Sequence, residues 1–383
     1  MEDYFGSPVS QVERAYKSIG LLPNDADLGQ AMAVYKRVEE LVKYDAVKGT
    51  LALTRDSAGL GAPFAQTNPR AAREAPAVLG IVKALQEQHF RWSAVVGAAP
   101  LEDRRLAFRA VAAGDALLTL IARSNGKERL QLSPADIDSV KRIAAEIDKL
   151  GASLPDFLRH KSAFPYREGI SFVYWAFATK GWDGVNSLYA NPPLTTAQIL
   201  HPEKYFVRRV GPGRFFPAGL MRRMGGSPVI EESFGEYYTR ALLQSVHAPK
   251  YAADTAAGWR GDQMFFFQAG GNSVTAWFSV WEGEQQAHEF YNAFQTVLER
   301  RQWFRFRPAS DQNGNVLTAD THDRGAFLLQ VKGSSVLVLN AVPAGHLAEL
   351  QEEAWKDLEI DLEPAAIRFE SARFSDHLSL SKR

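Results

Sequence analysis

Side chains able to act as acids, bases or metal ligands are plentiful in this chain but rarely grouped at useful spacings. A helical zinc site needs two histidines at i and i+4, so that both imidazoles leave one helix face. It also needs a glutamate between them to take a proton from metal-bound water. The 383 residues hold eight histidines and no His-x-x-x-His pair. The absence of cysteine excludes disulfides, thiolate metal sites and thiol nucleophiles. No Gly-x-Ser-x-Gly nucleophile elbow occurs, and no glycine-rich phosphate loop or Walker loop follows a strand.

The remaining constellations have structural readings. His89 closes a helical segment and is expected to anchor its end. His201-Pro202-Glu203 reads as a turn lock. Asp311-Gln312-Asn313-Gly314-Asn315 has its glycine at the fourth position of a would-be calcium loop instead of the sixth, so a hairpin turn is expected at Asn313-Gly314. Arg260-Gly261-Asp262 spells an adhesion tripeptide, a motif so short that chance matches are common.

One stretch is informative for what it lacks. Residues 79 to 90 run Leu-Gly-Ile-Val-Lys-Ala-Leu-Gln-Glu-Gln-His-Phe. Around it stand, in order, Tyr44-Asp45 with Gly49-Thr50-Leu51-Ala52-Leu53, Ala113-Gly114-Asp115-Ala116, Phe164-Pro165-Tyr166-Arg167-Glu168-Gly169 and Gly181-Trp182. Tyr189-Ala190-Asn191-Pro192-Pro193, the block from Gln198 to Tyr205 and Gly258-Trp259-Arg260-Gly261-Asp262 follow. Across roughly residues 27 to 295 this order resembles a family of uncharacterised bacterial zincin-like metallopeptidase relatives, in which His-Glu-x-x-His precedes the block matching Ala84 to Phe90.

The resemblance implies that Leu79 and Lys83 stand where the two zinc histidines belong and Gly80 where the catalytic glutamate belongs. It places Ala113 where a third, glutamate ligand belongs, with Glu168 as an alternative register for that ligand. Leu79, Gly80 and Ala113 carry no donor atom, and Lys83 could ligate only as a neutral amine, against an ordinary pKa of about 10.4. The resemblance therefore implies a degenerate metal site, with no metal and no cofactor. Differences at Leu79, Gly80, Ile81, Val82, Lys83 and Ala113 together fit natural divergence better than an engineered knockout. Asp115, Glu168 and Tyr166 are the residues expected near the former cleft. Lys83 then has two alternatives: its ammonium neutralises Asp115 or Glu168, or it pairs with Glu87 at i+4.

The elements that must position these residues follow from periodicity. Helices are expected at residues 8–19, 27–41, 70–90, 100–123 and 134–150, the last capped by Ser133-Pro134, with a hairpin between 42–44 and 50–54 and a loop over 59–69. Phe164, Tyr166, Phe172, Tyr174, Trp175, Phe177 and Trp182 crowd one further helical segment and are expected to pack in the core. Residues 206–230, rich in glycine, proline and arginine, read as a solvated connector. Strands are expected at 263–268, 273–282, 303–307, 326–332 and 335–342, helices at 284–301 and 344–355, and a polar tail from Phe374. The fold class is α+β: a zincin-like helical part over 1–205 with a small sheet, a connector over 206–262 and an antiparallel α+β part over 263–383.

Forty-four basic and 44 acidic residues cancel, so charge gives no case for a nucleic-acid partner or an anionic membrane surface. No run of about 18 apolar residues is present to span a bilayer. The start Met1-Glu2-Asp3 is not that of a signal peptide. The resembling family usually carries an export or lipoprotein signal, which implies a periplasmic or envelope location with the signal removed; a cytoplasmic location is the alternative. The expected function is that of a non-catalytic metallopeptidase homologue acting through protein partners, with peripheral or lipid-anchored membrane association compatible. A hydrolase using an unrecognised site is the competing expectation.

Overall fold

The computed structural model describes residues 7–362 except 67, 126–131, 270–271, 302–303, 310–314, 321–324 and 344. The expected turn at Asn313-Gly314 and the tail from Phe374 lie outside the described residues, as does part of the strand expected at 303–307.

The first half is helical. α1 (Val9–Ser18) and α2 (Leu28–Glu39) lead into the hairpin β1 (Val42–Asp45) and β2 (Thr50–Leu53). A 3-10 helix, Arg55–Phe64, then replaces most of the expected loop. α3 (Pro69–Phe90) begins where the Asn68 side chain accepts a hydrogen bond from the Ala71 amide, with proline in the first turn, and ends at Arg91 in a left-handed conformation. α4 (Trp92–Ala98) and α5 (Glu102–Asn125) follow. α6 (Pro134–Leu150) opens with a full capping box between Ser133 and Asp136. α7 (Asp156–Ala190) is broken by non-helical torsions at Lys180 and Gly181.

α5 and α7 cross at backbone contact. A Cβ on Gly169 would lie 2.1 Å from the Ala110 carbonyl oxygen, and one on Gly114 would lie 2.3 Å from that of Gly169. Any side chain at either position forces the helices apart. The aromatic run on α7 divides: Phe164 and Phe172 are fully buried, but Trp175 is 45% and Trp182 42% exposed. This corrects the expectation of a wholly buried segment. Each exposed ring packs on a partly buried one: Trp175 stacks on Phe206 and Trp182 meets Phe177 edge-on.

α8 (Thr196–Leu200), α9 (Glu203–Phe206), β3 (Arg214–Pro217), α10 (Ala218–Arg223), β4 (Ile230–Glu232), α11 (Gly235–Gln244) and α12 (Pro249–Ala256) form the middle of the chain. It is more ordered than the connector expected there. Two of its arginines form ion pairs, Arg223 with Glu349 and Arg222 with Asp357. The last part holds β5 (Trp259–Ala269), β6 (Asn272–Trp281), α13 (Glu284–Arg301), β7 (Arg307–Pro308), β8 (Val316–Asp320), β9 (Ala326–Lys332), β10 (Ser335–Val342), α14 (Leu347–Trp355) and β11 (Leu358–Asp361). Seven strands make one antiparallel sheet in the order β4-β5-β6-β10-β9-β8-β7, and β11 pairs with β3. The architecture is α+β.

Alternation along the strands separates two cores. Met264, Phe266, Trp277 and Val338 face the helices and share a core with the N-terminal bundle. Phe265, Phe267, Phe278, Leu337 and Leu339 face the other way, under α14 and β3. Because the first core runs from Val12 to Val338, the helical half and the sheet pack as one body. A boundary at 262/263 cuts through β5, and β4 belongs to the same sheet, so the expected three-part division does not follow the packing.

Candidate functional site

Residues 79, 83, 86 and 87 of α3 fall at i, i+4, i+7 and i+8, one face of a helix. That face lines a cavity of about 620 Å³ together with Ala112, Ala113 and Ala116 of α5, Pro165 and Tyr166 of α7, Val42 of the hairpin, and Trp92. Leu79, Lys83, Ala113 and Tyr166, widely separated in sequence, thus line the same cavity. Ile81 and Leu85, on the opposite face of α3, are exposed.

Gly80 meets the hairpin. A Cβ there would lie 2.7 Å from Leu51 Cδ1 and 2.8 Å from both Leu51 Cδ2 and Val42 Cγ1. The volume that a glutamate side chain would need is filled by hydrocarbon. Lys83 follows neither of its two expected alternatives, since its ammonium donates to the Val42 carbonyl oxygen at 3.0 Å. Burial of this tip lowers its pKa, a shift that nearby Glu39 opposes and Arg109 reinforces. Gln88 adds a further tie, donating to the Tyr44 hydroxyl at 2.8 Å. His89 is exposed and does not anchor the helix, whose end is made by Arg91.

Asp115 and Glu168 do not face the cavity, which corrects their expected place in it. Each lies two residues beyond a lining residue, Ala113 and Tyr166, and two residues turn a helix by about 200°. Asp115 is reached only through Gln86, whose amide donates to Asp115 Oδ2 and to the Ala112 carbonyl, each at 3.0 Å. The Tyr189 hydroxyl donates to the same carboxylate oxygen at 2.5 Å. Burial raises the Asp115 pKa against these hydrogen bonds. Three blocks of the resemblance, around Gln86, Asp115 and Tyr189, therefore meet in one structural lock. Glu168 lines a separate depression with Lys141, Arg167 and Ile170. Its pKa is raised by burial.

Sequence reading missed the charged floor of the cavity. Lys161 and Arg105 line it, and both hold Glu102, at 2.5 Å and 3.1 Å. Arg105 also reaches Glu232 at 2.7 Å, and the Glu232 carboxylate accepts the Glu102 amide. Burial alone would raise Glu102, but Lys161 and then Arg105 outweigh it and hold the carboxyl at about 2. Glu232, buried and sharing Arg105 with Glu102, is pushed up to about 7. Asp103 beside them accepts from the Thr196 amide at 3.0 Å and from its hydroxyl. Burial pushes it up to about 8. Asp262 accepts five hydrogen bonds, from Ser233, Phe234, Gly235, Trp259 and Trp277. It is 2% exposed and lies within β5. That geometry makes it a structural acceptor and leaves no accessible adhesion motif. His201 bonds Glu236 at 2.7 Å, as a turn lock would.

A zinc ion does not fit the residues present. Leu79, Gly80 and Ala113 offer no donor atom, and the Lys83 nitrogen is committed as a hydrogen-bond donor. What the cavity can do is bind: apolar side chains stand beside charged and polar ones, in a volume within the roughly 300–1,000 Å³ typical of small-molecule sites. Among the described residues, no helix is long and apolar enough to cross a membrane.

Residues 222–351 match the model of a domain of unknown function (DUF8575). The match spans the sheet and the helices packed on it and includes no residue lining the cavity. No curated protein and no solved structure matches the chain.

Proposed function

We propose that this chain is a non-catalytic descendant of a zincin-like metallopeptidase that works by binding at the former active site, as a component of the bacterial cell envelope or of a larger assembly. The observation that supports the reading is that Leu79, Lys83, Ala113 and Tyr166 line one cavity, with the volume beside Gly80 filled by Leu51 and Val42. The hairpin makes the loss structural as well as chemical, because restoring a glutamate at position 80 requires moving β1 and β2.

The test is metal content and hydrolysis together. Protein purified without chelators should carry no stoichiometric zinc, and added Zn²⁺ should leave the melting temperature unchanged. Binding to the native state alone would stabilise by about 2.7 kcal/mol at a hundredfold excess over Kd. Peptide hydrolysis that copurifies with the chain and is abolished by a chelator would overturn the proposal.

A further inference from the structure

Hydrogen-bonding capacity around the cavity is lopsided. Its two acidic lining residues are already engaged: Glu39 holds Arg109 at 2.7 Å, and Glu87 accepts the Ser93 amide at 2.9 Å. The donors are less fully used. Trp92, 5% exposed, lines the cavity with a buried indole N–H that has no acceptor among the described residues. Among the described residues Lys83 donates to one backbone carbonyl and contacts no carboxylate directly, whereas Arg105, Arg109 and Lys161 each contact one. The Tyr166 hydroxyl makes no hydrogen bond among the described residues, and burial pushes its pKa up to about 12, so it stays a donor at neutral pH. Between these groups the walls are hydrocarbon: Leu41, Leu60, Leu79, Val96, Ala113 and Ile147.

A buried donor without an acceptor costs about 1–3 kcal/mol. A cavity with a buried indole N–H lacking an acceptor, a hydroxyl donor and an ammonium in direct contact with no carboxylate among the described residues is complementary to an acceptor-rich anionic group. Its apolar remainder is complementary to a hydrocarbon body. We propose that the cavity binds an amphipathic organic acid, its carboxylate received by Lys83 with Trp92 and Tyr166, and its apolar chain laid along Leu41, Leu60 and Leu79. This deepens the reading of the former active site as a binding site and rests on it. The recognition is charge-assisted, with the planar carboxylate taking the place of a metal-bound oxygen as the group the pocket is built around.

The test uses octanoate as the probe and 1-octanol as its uncharged counterpart, titrated into the full chain by calorimetry. Octanoate should bind, and octanol should bind at least about tenfold more weakly, the factor expected when a hydrogen bond to a charged group is lost. Lys83→Met should weaken octanoate by a similar factor and leave octanol unchanged, while Lys83→Arg should restore most of the affinity. Trp92→Phe, which keeps the ring and removes the N–H, should weaken octanoate less than Lys83→Met does. Equal affinity for acid and alcohol, no binding of octanoate by protein that melts normally, or octanoate binding unaffected by both Lys83 variants would each overturn the proposal. Failure here is separable from failure of the non-catalytic reading, because zinc content and chelator-sensitive hydrolysis are measured without octanoate.

Discussion

The hairpin seated on Gly80 can be tested by adding one methyl group. In Gly80→Ala the new carbon starts 2.7–2.8 Å from Leu51 Cδ1, Leu51 Cδ2 and Val42 Cγ1, against an optimal carbon–carbon separation of about 3.5–4.0 Å. β1 and β2 must therefore retreat by roughly 1 Å. Overpacking of this kind costs about 1–3 kcal/mol, while removing a glycine from mid-helix returns about 0.5–1 kcal/mol. The balance is a destabilisation of about 1 kcal/mol. Leu51 supplies two of the three close contacts, so in a Leu51→Ala background the clash largely disappears and Gly80→Ala becomes neutral or stabilising. The coupling between the sites should fall in the range of about 0.5–3 kcal/mol found for residues in contact. Urea denaturation of the four proteins, at matched m-values, measures it. If Gly80→Ala stabilises the parent chain as much as it stabilises the Leu51→Ala chain, the hairpin does not fill the space beside Gly80 and the proposal of a filled site is wrong.

Lys83→Met should cost no more than about 1.5 kcal/mol in stability, the value of one ordinary hydrogen bond to the Val42 carbonyl; a loss of 3–5 kcal/mol, typical of a broken buried ion pair, would place a carboxylate against the ammonium. Stability should fall as pH rises from about 4 to about 8. Asp103 and Glu232 have folded pKa values raised by burial to about 8 and about 7, so each contributes stability that is complete below its unfolded pKa and is lost between that value and the folded one, because the unfolded chain ionises first. Asp103→Asn keeps an oxygen for Thr196 and cannot ionise, so thermal melts of this variant across the same range should show a shallower decline; an identical slope would mean that Asp103 is already ionised in the fold.

Helices were the most readable elements because their signals are local. Asn68-Pro69, Ser133-Pro134 and the apolar spacing of Val78, Leu79 and Val82 each act within one or two turns. α3 and α6 accordingly lie within a residue of expectation. β9 and β10, both near-continuous apolar runs, were equally plain. The short strands β3, β4, β7 and β11 were not, because a strand of two to four residues owes its existence to its partner, and β3 pairs with β11 from the far end of the chain. The charged floor escaped for the same reason. Glu102 and Glu232 lie 130 residues apart, and nothing local marks an acidic residue that will be buried against an arginine. Asp115 and Glu168 were misplaced for a different reason: membership of a sequence block fixed their neighbourhood, and a half-turn of helix then pointed them away.

Retention of the cavity is what the proposed loss of catalysis does not explain. On that proposal, once Leu79, Gly80 and Ala113 stood without metal donors, larger apolar residues at the alanines could have filled the space and gained stability, since filled cavities are favoured over open ones. The hairpin did fill it at Gly80. Around Ala112, Ala113 and Ala116 it stayed open, between helices whose spacing is fixed elsewhere by the Gly114–Gly169 crossing. Trp92, Tyr166 and Lys83 still present donors there. Keeping small residues and underused donors together costs stability, and such a cost persists most readily where a ligand offsets it.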